Sequence, residues 1–448
     1  MERSKRAVLW LQPGLVVKRW LITSGLGLLM ALLGAAVWAD LKPIYWILET
    51  LSGFLGTITN VLPREITGPL VAIIGVGLVL WGQSRSFGSI QQALAPDKEL
   101  ALVDALRAKS RLNRGPNIVA IGGGTGLSTL LSGLKRYSSH ITAIVTVADD
   151  GGSSGVLRRE LGVLPPGDIR NCLAALSTEE PLLTRLFQYR FSAGSGLEGH
   201  SFGNLFLSAL SAITGNLETA ITASSRVLAV QGQVVPATNV DVRLWAELEN
   251  GQRIEGESNI GHASSPIVRL GCLPEHPPAL PKALEAIANA DLIILGPGSL
   301  YTSLLPNLLV PELVSAIRRC KAPRLYICNL MTQPCETDGL DVRGHLRAIE
   351  AQLASLGIDQ RLFTAVLAQD DLPTSELLRH YKRRGAEPVQ CDAAGLRQDG
   401  YDVTQAPLQG ARPTATLRHD PRSLALAVMR FYRSHRRESQ SGRDRQST

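Results

Sequence analysis

Two kinds of apolar run divide the chain. Leu21–Ala39 is 19 residues without a charge, and Thr67–Ser84 is 18. As a helix the first spans about 28 Å, close to the bilayer core of roughly 30 Å. Trp20, Trp38 and Trp81 stand at the ends of these runs, where indole rings favour the headgroup level. Arg3, Lys5, Arg6, Lys18 and Arg19 precede the first run, whereas only Lys42 and Arg64 separate the two. This asymmetry predicts two transmembrane helices, 21–39 and 67–84, in the inner membrane. The basic N-terminus (1–20) is then cytoplasmic, 40–66 is a short external loop, and the chain is back in the cytoplasm at Arg85. A cleaved signal peptide is the competing reading of the first run.

After a linker, 85–116, in which Asp97–Leu112 carries an amphipathic helical pattern, the apolar runs shorten and begin to alternate in kind. Asn117–Ile121, Ile141–Ala148, Asp291–Leu295, Arg324–Asn329 and Leu362–Leu367 read as buried strands. Leu127–Lys135, Leu182–Tyr189, Ser201–Ala212, Lys282–Asn289 and Glu312–Cys320 have helical spacing between them. Strands alternating with helices predict an α/β domain over 117–433, Rossmann-like, with a mainly parallel sheet and helices on both faces. Leu228–Glu255, with its Asn250-Gly251 turn, predicts a hairpin at one edge. The polar stretch 434–448 reads as a disordered tail.

Composition narrows the function classes. With 45% hydrophobic and 19% charged residues the 448-residue chain is a packed protein. Much of the net charge of +7 lies at the two ends, including Arg430, Arg433, Arg436 and Arg437. Aromatic residues make up only 5% and do not interleave with the basic ones, so nucleic acid is not an expected partner. Six cysteines without a C-x-x-C pair form neither a zinc pattern nor a disulfide framework.

The candidate chemistry sits where presumptive strands end. Ile121 leads into Gly122, Gly123, Gly124, Thr125 and Gly126, and then into a helix. Such a turn brings backbone N–H groups close to an anion on the helix N-terminus. It is neither the strict G-x-G-x-x-G fingerprint nor a P-loop. Ala148 leads to Asp149, Asp150, Gly151, Gly152, Ser153 and Ser154, a second anion nest. Leu295 leads to Gly296, Gly298, Ser299 and Tyr301, a third, and the fourth such loop begins at Asn329. In an open parallel sheet the ligand crevice lies outside the carboxyl ends of the strands, so loops of this kind imply one shared site for a phosphorylated ligand. Asp149 and Asp150 could accept hydrogen bonds from a ribose or hold Mg2+ against phosphate, or one could cap a helix. Asp168 reads equally as a ligand carboxylate or an N-cap, and Arg170, beside Asn171, could grip phosphate as a bidentate fork. His200 is a candidate general base or a structural histidine, with Asn204 on the helix that follows.

Six motifs, GGGTGLSTLL, ITAIVTVADDGGSSG, LPPGDIRNCL, GHSFGNLFL, GPGSLYTS and NLMTQP, resemble in order and spacing the gluconeogenesis factor (YvcK-like) proteins. These belong to the superfamily of 2-phospho-L-lactate transferase (CofD-like). The resemblance runs from about Asn117 to about Arg433. It implies a Rossmann-like core binding a UDP-sugar such as UDP-N-acetylglucosamine, in a protein tied to gluconeogenic growth, cell shape and peptidoglycan supply. The CofD-like relatives transfer a phospholactyl group using Mg2+, and Asp149, Asp150 and Asp168 match acidic positions near that transferase site. Tyr381 and Arg418 match positions tied to the UDP-sugar, where a ring can stack and a guanidinium can chelate a diphosphate.

Three functions therefore stand against one another. The first is a membrane-tethered UDP-sugar-binding regulator, needing no cofactor, with cell-wall synthesis proteins as partners and a homodimer suggested by the superfamily. The second is a Mg2+-dependent CofD-like transferase. The third, an NAD redox protein, lacks its fingerprint.

Overall fold

The computed structural model describes residues 109–178, 181–371, 375–410 and 417–446, together with scattered positions between 26 and 77. The chain divides into two compact units, Met1–Ser110 and Arg111–Thr448. The linker 85–108 and most of the two expected spans lie outside the described residues. Leu26, Gly27, Met30 and Gly34 in the first span are helical, as are Ile73, Gly75 and Gly77 in the second. Among the described residues no single helix is long and apolar enough to cross a membrane.

The second unit is built on a seven-stranded sheet in the order β10-β9-β8-β7-β1-β2-β3. The strands are β1 (Ile118–Gly122), β2 (Ile141–Val145), β3 (Gln233–Pro236), β7 (Leu292–Leu295), β8 (Arg324–Ile327), β9 (Ala365–Gln369) and β10 (Asp402–Ala406). Every pairing in it is parallel. β1 and β7 are buried along their whole length, as expected of strands covered on both faces. Side chains nevertheless alternate. Val119, Ile121, Ile293 and Leu295 point into one core, whereas Ile118, Ala120, Leu292 and Ile294 point into the other. Each fully buried Val, Ile or Leu among them contributes about 1.5–3 kcal/mol relative to exposure.

The chain runs from β1 outward through β2 to β3, then returns to pair β7 with the free flank of β1 and continues through β8 to β10. Chain direction across the sheet therefore reverses between β1 and β7. Crevices form at such reversals because the loops on either side leave in opposite directions.

Four outcomes differ from the sequence expectation. The hairpin exists, as β4 (Arg243–Leu248) and β5 (Arg253–Glu255), but not at the edge of the main sheet. It joins β6 (Ile267–Leu273) in a separate antiparallel sheet, because Leu244, Ala246 and Leu248 all face the first core. β10 was not anticipated; its sequence DVTQA is largely polar because it is an edge strand. The final helix, Pro421–Gln446, extends through most of the stretch expected to be a disordered tail. The glycine turn itself is shorter than expected, since Gly124 already opens a helix.

Candidate functional site

Four adjacent strands, β8, β7, β1 and β2, bring their carboxyl-end loops to one rim, and contacts between the loops fix them there. Gly298 donates its amide to Asn329 Oδ1 at 3.1 Å, and Asn329 Nδ2 donates back to the Gly298 carbonyl at 2.7 Å. This clamp joins the β7 and β8 loops and gives Asn329 a structural task. Helix α1 (Gly124–Leu134) starts so close to the β7 loop that a methyl group at Gly126 would lie 2.1 Å from the Pro297 carbonyl oxygen. Gly124 has φ +65°, a left-handed conformation that glycine adopts without strain. Thr125, between them, is exposed.

The β2 loop is pressed in from the other side. Helix α2 (Gly152–Leu161) begins after Gly151, and helix α3 (Gly167–Leu176) after Pro166. A methyl group at Gly167 would lie 2.5 Å from Ser154 Oγ and 3.0 Å from Asp149 Oδ2. The residues that precede α1, α2, α3 and the π-helical segment Leu300–Leu304, namely Gly123, Gly151, Pro166 and Ser299, lend no side-chain cap of their own. Their first-turn amides therefore present partial positive charge to the same rim. Neighbouring carboxyl groups answer some of them. Asp149 Oδ1 accepts from Gly151 N at 3.0 Å, Asp168 accepts from Gly124 N, and Glu336 Oε2 accepts from Tyr301 N at 3.3 Å.

This gathering of acids is the main electrostatic feature of the rim. Burial, and then repulsion from Asp149, raises the Asp168 carboxyl to about 6. Burial also raises Asp149, with Asp150 adding to the effect. Glu257 is pushed up to about 8 by burial and by the charges of Asp149, Asp150 and Asp168, and burial pushes Glu336 up to about 7. Sequence reasoning missed both glutamates. Glu336 lies in the loop opened by Asn329, so its neighbourhood was legible. Glu257 carries no local signal: a long-range contact of Asp150 brings it in.

That contact corrects the expectation for Asp150. Its Oδ2 accepts from Glu257 N at 2.9 Å, and its Oδ1 accepts from Ser258 N at 2.9 Å and from Ser258 Oγ at 2.6 Å. Asp150 thus caps the short helix Glu257–Ile260 from 107 positions away, which is the capping alternative realised in trans. With both oxygens committed, Asp149 and Asp150 do not fit Mg2+ as a pair. The charge of Asp149 reaches Asp168, and two carboxylates near one another would suit Mg2+ only when phosphate oxygens complete the shell. Among the described residues no three His, Cys, Asp or Glu side chains are grouped to hold a metal ion.

Beside the acids lies a second polar cluster. His200 Nδ1 is 2.9 Å from Ser153 Oγ, to which Asn204 Nδ2 donates at 3.1 Å. Ser201 caps helix α4 (Phe202–Thr214) and also accepts from Arg170 Nη1, while Arg170 Nη2 donates to Asn171 Oδ1 at 2.8 Å. Arg170 Nε and Asn204 Oδ1 are buried with no hydrogen-bond partner among the described residues. Burial, with Arg190 nearby, makes the Arg170 charge costlier to hold. His200 is buried against Ser153, and among the described residues no carboxylate pairs with it, so the structure places it as a member of this network.

Tyr301 turns away from the rim: its ring is buried in the first core and its hydroxyl donates to the Ile267 carbonyl at 3.3 Å. Tyr381 and Arg418 lie further along the same edge. Tyr381 Oη accepts from Leu417 N at 2.6 Å, and Arg418 is exposed beside it. Leu417, with Leu330, Gln369, Asp370 and Val389, lines a cavity of about 130 Å³ at the ends of β8, β9 and β10.

The comparisons with known proteins agree with this geometry. A family profile for 2-phospho-L-lactate transferase CofD matches residues 118–409, the whole main sheet and its rim. The gluconeogenesis factor of Bacillus subtilis is 46% identical over 314 residues, which is 70% of this chain and 97% of that protein. The chain belongs to the gluconeogenesis factor family, and its main domain is CofD-like. A Nostoc relative is 58% identical over 423 residues, 94% of this chain and 92% of its own. A solved Bacillus halodurans structure matches with TM-score 0.67 and 45% identity, covering 70% of this chain and 100% of that one. Relatives of this gluconeogenesis factor family thus come in two sizes, with and without a counterpart to the first quarter of the chain.

Proposed function

We propose that this chain is a UDP-sugar-binding regulator, tethered by its N-terminal segment, that couples carbon supply to cell-wall synthesis. The observation that carries the reading is the convergence on the rim, where strand order reverses, of helix N-termini whose own N-cap residues lend no side-chain cap. A diphosphate there meets backbone amides from the β1, β2 and β7 loops, with Arg170 within the same cluster. Tyr381 and Arg418 extend the edge toward the base and sugar, in keeping with the family resemblance. Tethering rests on the two uncharged runs.

The test is the thermal stability of the protein with UDP-N-acetylglucosamine, NAD or GTP, each with and without Mg2+. At 100 times its dissociation constant a ligand adds about 2.7 kcal/mol, or about 4 °C for a domain of this size. A shift with the UDP-sugar, without Mg2+ and without product on long incubation, supports the regulator. No shift with any UDP-sugar sinks it.

The acid pair Asp149 and Asp168 favours one competing reading, a CofD-like transferase of a phosphorylated group from a nucleotide donor. Mg2+ held by these two carboxylates and the donor phosphates would supply charge neutralisation. A strict Mg2+ requirement together with product formation selects that reading over the first.

A further inference from the structure

The edge of the sheet opposite the candidate site is cationic. The final helix runs antiparallel to the strands. It starts at Asp420, whose amide donates to the Leu408 carbonyl just beyond β10, and reaches the other edge where His435 pairs with Asp402 at 3.2 Å. One face, with Leu424, Ala425, Val428 and Tyr432, is buried in the second core. The opposite face is a stripe at helical spacing, Arg422, Leu426, Arg430, Arg433 and Arg437, all exposed. Among the described residues none of these four arginines is in an ion pair.

The chain enters the domain at the same edge. Arg111 and Arg114 are exposed there, and Asn117 donates its amide to Asp291 Oδ2 at 2.8 Å. Asp291 also faces Tyr432 of the final helix, whose hydroxyl bonds Arg436. Asp291 and Asp402 at this edge thus have partners within the domain, whereas Arg430, Arg433 and Arg437 are in no ion pair among the described residues. The candidate site, with Asp149, Asp168, Glu257 and Glu336, occupies the other end.

We propose that the far half of the stripe, Arg430, Arg433 and Arg437, together with Arg111 and Arg114 of the entry segment, docks this domain on an anionic phospholipid surface, so that the nucleotide rim at the other end of the strands faces away from the bilayer. Charge complementarity identifies the occupant, and no aromatic side chain is interleaved on the stripe to stack on bases. The inference is independent of which ligand the rim binds.

The domain can be tested alone, because the solved relative is matched over 100% of its length by this part of the chain. Residues 111–448 are sedimented with vesicles of phosphatidylcholine containing 30% phosphatidylglycerol, and with pure phosphatidylcholine. Partition to the anionic vesicles should fall steeply between 50 and 500 mM NaCl, and each arginine lost should weaken it about fivefold. The triple reversal Arg430→Glu, Arg433→Glu, Arg437→Glu should abolish it while leaving any UDP-sugar thermal shift intact. Equal partition to neutral vesicles, partition unchanged by the reversal, or retention of duplex DNA with none on vesicles would each overturn the proposal. Loss of the UDP-sugar shift in the parent chain would count against the rim reading and leave this one standing.

Discussion

Helix starts in this molecule fall into two sets. Away from the rim, Asn216, Asp341 and Asp392 each accept from the amide three residues on, so those helices close their own first turns. Pro281 and Pro311 open two others, removing one of the amides that would need a partner. At the rim the positions before the helices are Gly123, Gly151, Pro166 and Ser299, none of which caps its own helix. The difference teaches that the rim is left open at a cost in stability that the rest of the fold avoids. Carboxyl groups lent by neighbouring loops recover part of it, and they are held against their own repulsion.

The largest break in the contrast should come from Gly126→Ala. The added methyl meets the Pro297 carbonyl and must separate the β1 and β7 loops, a loss of about 1–3 kcal/mol in chemical denaturation, with any ligand-induced thermal shift abolished. If the variant melts and binds like the parent, the loops are not locked as described.

Relieving the acid cluster should act in the opposite sense. A carboxyl group whose folded value is raised binds its proton more tightly in the native state, so its stability contribution falls as pH rises from the unfolded value to the folded one. For Glu257 that window runs from about 4.5 to about 8. Glu257→Gln should therefore stabilise the protein at pH 8.5 by about 1–3 kcal/mol and lose that advantage toward pH 4.5. Melting curves that stay parallel at every pH would remove repulsion as the cause.

The smallest effect belongs to the closed set. Asp341→Ala deletes the bond to Gly344 N, 2.6 Å long, and should cost about 1 kcal/mol with ligand response unchanged. A change in ligand response there would erase the distinction between the two sets.

Much of the fold was legible because it is written in short-range patterns. The runs at 118–122 and 292–295 are apolar throughout, and that at 324–327 is so after Arg324, since both faces are covered, and they could be read as buried strands without their partners. β10 could not, since an edge strand needs few apolar side chains, and the hairpin was misplaced because nothing within it says which sheet receives it. In the site, Ser153, His200, Asn204 and Arg170 were all read as candidates, and the fold joins them in one network. What stayed hidden is what depends on distance in sequence. Asp150 spends its oxygens on a helix 107 positions away, and that contact alone delivers Glu257.

Strand order also sets a schedule. Asn117 and Asp291 lie 174 positions apart, and everything between them must be synthesised before β1 gains its second neighbour. At roughly 5–20 residues per second the apolar flank of β1 stays open for about 10–30 s on the ribosome. Over that interval a strand destined for the centre of the sheet behaves as an unguarded edge, a ready template for a foreign segment. Production of this protein should therefore depend on chaperone supply more than on the stability of the finished domain.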